Sequence, residues 1–462
     1  MDQESDVRKL FRAAADHAAE YRESLGERRV GAAKTLDEVK ADFQRPLADE
    51  GRLPAEVIEE LVSVADGGLV STVGPRYFGF VVGGALPAAS AAEMLAVGWD
   101  QNGFSSALSP TAAAAENAAG EWLKDLLGLP ATASVGFVTG AQGANTVGLT
   151  TARNHVLAKV GWNVETDGLA GAPRVRIMAG EERHATIDRS LRLLGFGAKA
   201  LELVRTKANG VIDLDDLRHR LTDHEGPLIV CLQAGNVNTG ASDSLGEAIA
   251  IVHEYGGWVH VDGAFGLWAA VSPELRDQVA GVEAADSWGC DGHKWLNLPY
   301  DSGFVFSAHP DAHAAALGYS ASYLVTSGGR EPGDYVMESS RRSRGLAVWA
   351  GLQELGRDGV RDVVDRCCAL ARRFAQQLQD AGCEIGNEVV LNQVLVSFGT
   401  DEQTDAVVAE VQRGGVCWMG GTTWRGRRYM RISVSNHLTT ESDVDRSVQA
   451  ILAARAPEPS SP

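Results

Sequence analysis

The chain has 462 residues, 45% hydrophobic and 22% charged, with a net charge of −19 from 42 basic and 61 acidic side chains. That composition predicts a soluble globular protein with a sizeable core and excludes disordered and fibrous classes. The negative balance argues against nucleic acid or an anionic membrane as partner.

Residues 1–75 read as an N-terminal helical arm. Its acidic start, Met1-Asp2-Gln3-Glu4, has no basic or apolar leader, so no secretory signal is expected. Val7, Leu10, Phe11 and Ala14 recur at helical spacing. A further helix opens at Pro54, runs through Val57, Ile58 and Leu61, and stops near Gly67-Gly68. Such a segment buries little alone and is expected to pack on a larger body or a second subunit. Nowhere is there an apolar run of about 18 residues, so no transmembrane helix is expected.

Residues 76–340 alternate short apolar runs with helical patterns. Strands are predicted at 175–178, 228–232, 258–261 and 303–306, with a helix at 245–255. Continuous apolar strands between helices predict a large α/β domain around a mostly parallel sheet. Residues 341–455 predict a small C-terminal α+β domain, with helices at 346–355 and 363–378 and strands at 394–398 and 430–434. The tail, 456–462, is polar and proline-rich and is expected to be disordered. Six cysteines (Cys231, Cys290, Cys367, Cys368, Cys383, Cys417) show no C-x-x-C spacing. Neither a metal site nor a disulfide framework is expected, and reduced thiols fit a cytoplasmic location.

Three segments carry chemistry. Thr139-Gly140-Ala141-Gln142 lies between an apolar run and a helical pattern, where free N–H groups and the helix dipole suit a phosphate. In His260-Val261-Asp262-Gly263-Ala264 an aspartate closes an apolar strand, at the sheet edge where open α/β folds bind ligands. In His293-Lys294-Trp295 a lysine sits in apolar surroundings, where its amine becomes nucleophilic and can form a Schiff base. A phosphate cup, a strand-end carboxylate and such a lysine are the needs of pyridoxal 5′-phosphate.

In these motifs, in this order, the chain resembles the group II pyridoxal-phosphate-dependent amino-acid decarboxylases over about residues 70–440. The resemblance implies the fold-type I architecture, with a seven-stranded-type sheet, and a homodimer whose active site lies at the subunit interface. It also implies α-decarboxylation of an L-amino acid to its amine. Lys294 matches the Schiff-base lysine, Asp262 the partner of the pyridine nitrogen, and Ala264 the residue beneath the ring. His184 matches the histidine over the ring's other face, and His293 lies near the phosphate. Gly140, Ala141 and Gln142 fall at the phosphate cup, although Gln142 replaces the usual Ser or Thr. Asp291 stands where relatives carry Asn or Asp, and is expected to be turned away from a phosphate or bridged. Gly235-Asn236-Val237-Asn238-Thr239-Gly240 departs from the family pattern. Asn236 is favoured on register for the cofactor's phenolic oxygen, with Asn238 as rival. Tyr323 matches the catalytic tyrosine of a mobile loop, with Tyr335 as rival. Enzymes with phenylalanine at that position tend to make aldehydes, so an amine product is expected here. Tyr77, Phe78, Phe80, Phe104 and Leu108 are either pocket or core. Transamination, with Arg431 on the substrate carboxylate, carbon–carbon lyase chemistry and a non-catalytic cofactor-binding regulator remain as alternatives.

Overall fold

The computed structural model describes residues 6–319 and 329–455. Tyr323 and the tail at 456–462 lie outside them. Three amphipathic helices, α1 (Asp6–Ser24), α2 (Leu36–Phe43) and α3 (Pro54–Ala65), make up the arm. Thr35 and Glu38 close a reciprocal capping box on α2. None of the three buries a single residue. Prolines open the next two, α4 (Pro87–Trp99) and α5 (Pro110–Leu126), where a missing N–H costs nothing.

The large sheet then begins with β1 (Ser134–Val138), followed by α6 (Ala141–Ala158), α7 (Val164–Asp167), β2 (Arg176–Gly180), α8 (Ala185–Leu193) and β3 (Leu201–Val204). It continues through α9 (Leu214–Leu221), β4 (Leu228–Gln233), α10 (Leu245–Glu254), β5 (Trp258–Asp262), β6 (Ser287–Asp291), β7 (Gly303–Ser307) and α11 (Pro310–Leu317). The strand order is β1-β7-β6-β5-β4-β2-β3. All neighbours from β3 to β6 are parallel; only β7 runs the other way. The carboxyl ends of β1, β5 and β6 therefore share one edge. Helices cover both faces, which is why β1, β5, β6 and β7 are buried at every position.

The strands expected in the large sheet appear within two residues of their predicted ends, while β3 is too short and too polar to stand out. The two helices expected after residue 341 form one 36-residue run, α12 (Gly345–Asp380), broken at Gly356, where φ is +61°. Next come β8 (Glu384–Ile385), β9 (Gln393–Ser397), α13 (Asp401–Gly414), β10 (Gly420–Trp424), β11 (Arg427–Ser433) and α14 (Glu441–Arg455). These strands form an antiparallel sheet ordered β10-β11-β9-β8. The chain on either side of residue 75 is tied to this small sheet. Phe78 donates to Trp418 O and accepts from the Ser433 N–H, and Asn436 Nδ2 donates to the carbonyls of Val73 and Gly74.

Candidate active site

Lys294 follows β6 by three residues, and its Nζ lies 3.0 Å from Asp291 Oδ2. Asp291 faces inward. Its Oδ1 accepts the Ala141 N–H at the start of α6 (2.6 Å) and lies 3.5 Å from His293 Nε2. The first turn of α6 thus already holds an anionic oxygen, as a helix N-terminus favours. Gly140 keeps this corner open, since a Cβ there would lie 2.8 Å from the His293 ring. The Ser302 N–H donates to His293 Nδ1, so the imidazole proton sits on Nε2. Burial lowers the His293 pKa.

Asp262 ends β5 and is 5% exposed. Its oxygens accept from the Ala264 N–H (3.2 Å), from Asn145 Nδ2 (3.1 Å) and, at 3.5 Å, from Thr186 Oγ1. All of these donors are neutral. No lysine or arginine among the described residues lies within ion-pair distance of it. A buried carboxylate without a cation is costly, and a protonated pyridine nitrogen is a cation of the required kind. The residues present therefore fit pyridoxal 5′-phosphate.

His184 caps α8, its Nδ1 accepting from the Thr186 N–H. His184 is exposed, but desolvation still lowers its pKa, against the pull of Asp262. Ala264 is half-buried between Asp262 and Asp291, and its carbonyl accepts the Asp291 N–H.

Two expected contacts take other forms. The Gln142 carboxamide donates to Ser190 Oγ at 2.9 Å, towards α8, which leaves its backbone for an anion. Asn236 spends its carboxamide on its own turn. Its Nδ2 donates to Glu182 O and Gln233 Oε1, and its Oδ1 accepts from the Asn238 and Thr239 N–H groups. Asn238 Oδ1 accepts from Thr422 Oγ1 on β10, and its Nδ2 has no partner among the described residues. Arg431 on β11 has one bond, to Val237 O, and no carboxylate within ion-pair distance among the described residues; burial lowers its pKa.

Tyr335 packs edge-on to His313 (5.1 Å), under the Arg330 guanidinium. His313 in turn bonds Ser134, at the start of β1, the end away from the cup. Phe78 is core, set against Phe374. Tyr77 and Phe80 both stack on Trp418, at 5.0 and 5.4 Å, and Phe80 is 66% exposed. The backbone of this segment abuts Lys294, since a Cβ on Gly83 would clash with its carbonyl. Sequence reasoning missed Tyr300, whose ring lies 4.5 Å from that of His293 and whose phenol burial pushes up to about 12. It also missed Asn145 and His260. The available signals were spacing: Asn145 lies one helical turn beyond Gln142, and His260, two residues before Asp262, shares its strand face.

A family model described as the pyridoxal-dependent decarboxylase conserved domain matches residues 46–399. An aromatic-L-amino-acid decarboxylase of Bacillus atrophaeus is 26% identical, covering 97% of this chain and 95% of its own length. Tryptophan decarboxylase 1 of Oryza sativa subsp. japonica is 27% identical (95% and 91%), and a 4-hydroxyphenylacetaldehyde synthase of Rhodiola rosea is also 27% identical (82% and 80%). The fold matches the crystal structure of Oryza sativa TDC with PLP and tryptamine, with a TM-score of 0.90, 23% identity and 97% of each chain covered. Mouse CSAD superposes with a TM-score of 0.89 at 19% identity, covering 97% of this chain and 98% of its own. This chain belongs to the pyridoxal-dependent decarboxylase family and is a pyridoxal-phosphate-dependent amino-acid carboxy-lyase of fold type I.

Proposed function

We propose that this enzyme decarboxylates an aromatic L-amino acid to its amine, with Lys294 and His184 serving the reacting end of the cofactor and Asp262 its ring nitrogen. The observation that carries the reading is Asp262, a buried carboxylate with only neutral partners, on the sheet edge where the Lys294 amine meets Asp291. Pyridoxal 5′-phosphate supplies there an electron-accepting ring conjugated to the substrate Cα. Asp262 holds a proton on the ring nitrogen, because an anion at contact favours the protonated form. Lys294 Nζ would hold the cofactor through a Schiff base and exchange it with the substrate amine. The N–H groups of Gly140 and Gln142 and the α6 dipole would hold the phosphate, the Ala141 N–H being taken by Asp291. His184 would lie against one ring face and Ala264 against the other. Asn238 serves the phenolic oxygen, a role supported by its free Nδ2, and Arg431 takes the substrate carboxylate. Tyr323 donates the proton that replaces carbon dioxide at Cα; its phenol, with an unperturbed pKa of about 10, keeps that proton at neutral pH.

An aromatic substrate is supported by the exposed Phe80 stacked on Trp418, three residues before the Gly83 that abuts the Lys294 carbonyl, and by the substrates named for the relatives. A homodimer is supported by the uncovered apolar face of Phe11, Val57, Leu61, Met94 and Val97 on α1, α3 and α4. A cytoplasmic site suits the six free cysteines. No helix among the described residues is long and apolar enough to cross a membrane.

The test is a mass-spectrometric screen of amino acids for carbon dioxide and amine, with borohydride reduction and peptide mapping. Amines from tryptophan, tyrosine or phenylalanine and an adduct on Lys294 are expected. Turnover of non-aromatic amino acids alone overturns the substrate class, and an adduct on another lysine overturns the site. Tyr323→Phe is expected to divert flux to aldehyde under air, with Tyr335→Phe unchanged; an unaltered product ratio in Tyr323→Phe removes its role. Light scattering that finds a monomer overturns the dimer.

A further inference from the structure

Behind Asp262 runs a chain of buried polar side chains that the reaction as described does not use. Asn145 on α6 donates from Nδ2 to Asp262 Oδ2 (3.1 Å) and to Thr186 Oγ1 (3.1 Å). Its Oδ1 lies 3.0 Å from His260 Nε2, His260 Nδ1 lies 2.9 Å from Ser287 Oγ, and Ser287 Oγ lies 2.9 Å from Trp258 Nε1. Asn145, His260 and Ser287 are fully buried, and Trp258 is 1% exposed. Space for the chain is made on both sides by glycine: a Cβ on Gly148 would lie 2.6 Å from the His260 ring, and one on Gly289 2.8 Å from Asn145 Oδ1.

An ionised Asp262 can only accept, so it turns the Asn145 amide N–H groups towards itself and Thr186 and leaves Oδ1 to accept from His260 Nε2. His260 then carries its proton on Nε2, and its Nδ1 accepts the Ser287 hydroxyl proton. Ser287 Oγ accepts in turn from the Trp258 indole, which can only donate and so supports this polarity without imposing it. His184 Nδ1 accepts the Thr186 N–H and lies 2.9 Å from Thr186 Oγ1, so the His184 proton sits on Nε2.

We propose that Asn145, His260, Ser287 and Trp258 form a positioning chain that holds the Asn145 amide as a donor to Asp262 and so keeps Asp262 an acceptor. It rests on the reading of Asp262 as partner of the ring nitrogen. Burial holds His260 down at about 4, so the ring stays neutral at working pH and the polarity does not change with it. A core histidine packed only for its volume needs neither the indole, the serine nor two glycines.

The experiment compares Asn145→Asp, Ser287→Ala and Asp262→Asn with the unaltered enzyme. It measures the dissociation constant of the apoenzyme for pyridoxal 5′-phosphate, the pH midpoint of the visible band of the Lys294-bound cofactor, and kcat and KM. Asn145→Asp keeps the shape but turns an acceptor towards Asp262, so the two carboxylates compete for a proton. Loss of a charged hydrogen bond predicts cofactor binding weaker by about 10- to 100-fold. A ring nitrogen that holds its proton less firmly removes positive charge from the chromophore, so the midpoint moves up by about one unit. Ser287→Ala, which removes one oxygen, moves both quantities the same way by less. In both variants kcat falls more than KM changes. A packing role would lower the melting temperature and leave the midpoint in place. Should Asn145→Asp not fold, Ser287→Ala decides. Unchanged midpoint and affinity in the folded variants, with both altered in Asp262→Asn, overturn the chain and leave the Asp262 reading intact. If Asp262→Asn too changes neither, the reading of Asp262 falls and the proposal with it.

Discussion

Asp262 and Asp291 close adjacent parallel strands of one sheet edge, and both are buried, at 5% and 1% exposure. Their partners are opposite in kind. Asp291 has the Lys294 ammonium, His293 and the α6 N-terminus. Asp262 has an amide, a hydroxyl and a backbone N–H, all neutral. One carboxylate is satisfied within the protein and the other calls for a cation from outside it. The role of a buried acid is thus set by which positive group its neighbours omit.

That contrast can be broken in order of effect. Removing the amine, Lys294→Ala, is expected to lower kcat by at least about 10³-fold, the scale on which positioned proton-transfer groups act. Steady-state amine formation checks it, and residual turnover near wild type would separate Lys294 from the reaction. Next, Asp262→Asn keeps the shape and removes the charge. A fall of about 10²- to 10³-fold in kcat, comparable to losing one preorganised electrostatic contact, is expected in a protein that still folds and takes up cofactor. Asp291→Asn sharpens the comparison because Oδ1 can still accept the Ala141 N–H. Its loss of charge beside the phosphate cup is expected to leave cofactor affinity unchanged or tighter, with kcat within about tenfold. An equal loss in both asparagine variants would erase the distinction.

The smallest effect belongs to a third aspartate at the far end of β6. Burial raises the Asp286 pKa, but hydrogen bonds from His253, His309 and the Val259 N–H outweigh it and bring it down to about 2. The same bond raises His253. A depressed carboxyl stabilises the fold above its unfolded value, near 4, and the benefit goes as pH falls through about 2. A raised histidine stabilises fully below about 6.5, and its share is lost as pH rises through the folded value. His253→Gln is therefore expected to lower the melting temperature slightly at pH 5–6, less at pH 8, with turnover unchanged. A deficit equal at both pH values would deny the link.

Residue order along the chain carried the three chemical segments and the sheet. Apolar runs at β4, β5 and β7 name themselves because strands buried on both faces need no polar alternation. Local spacing also put Asp262 at a strand end and Gly140 and Lys294 in the loops that follow strands, and left a turn open for the Asn236 segment. It did not say that Gln142 would face Ser190, or that the 73–86 segment would join the small sheet. Those two depend on partners 48 and 363 residues away in the chain.

What the sequence by itself determined, then, was the α/β class, the cofactor and the family, because motif order and hydrophobic period are local properties that survive without coordinates. Only the tertiary structure decided which neighbours each polar atom meets. The orientation of the Asn145 amide and the site of the His260 proton follow from Asp262, more than a hundred residues after Asn145, brought within reach by the packing of β5 against α6. Hydrogen-bond polarity is transmitted by contact, and contact is made by the fold.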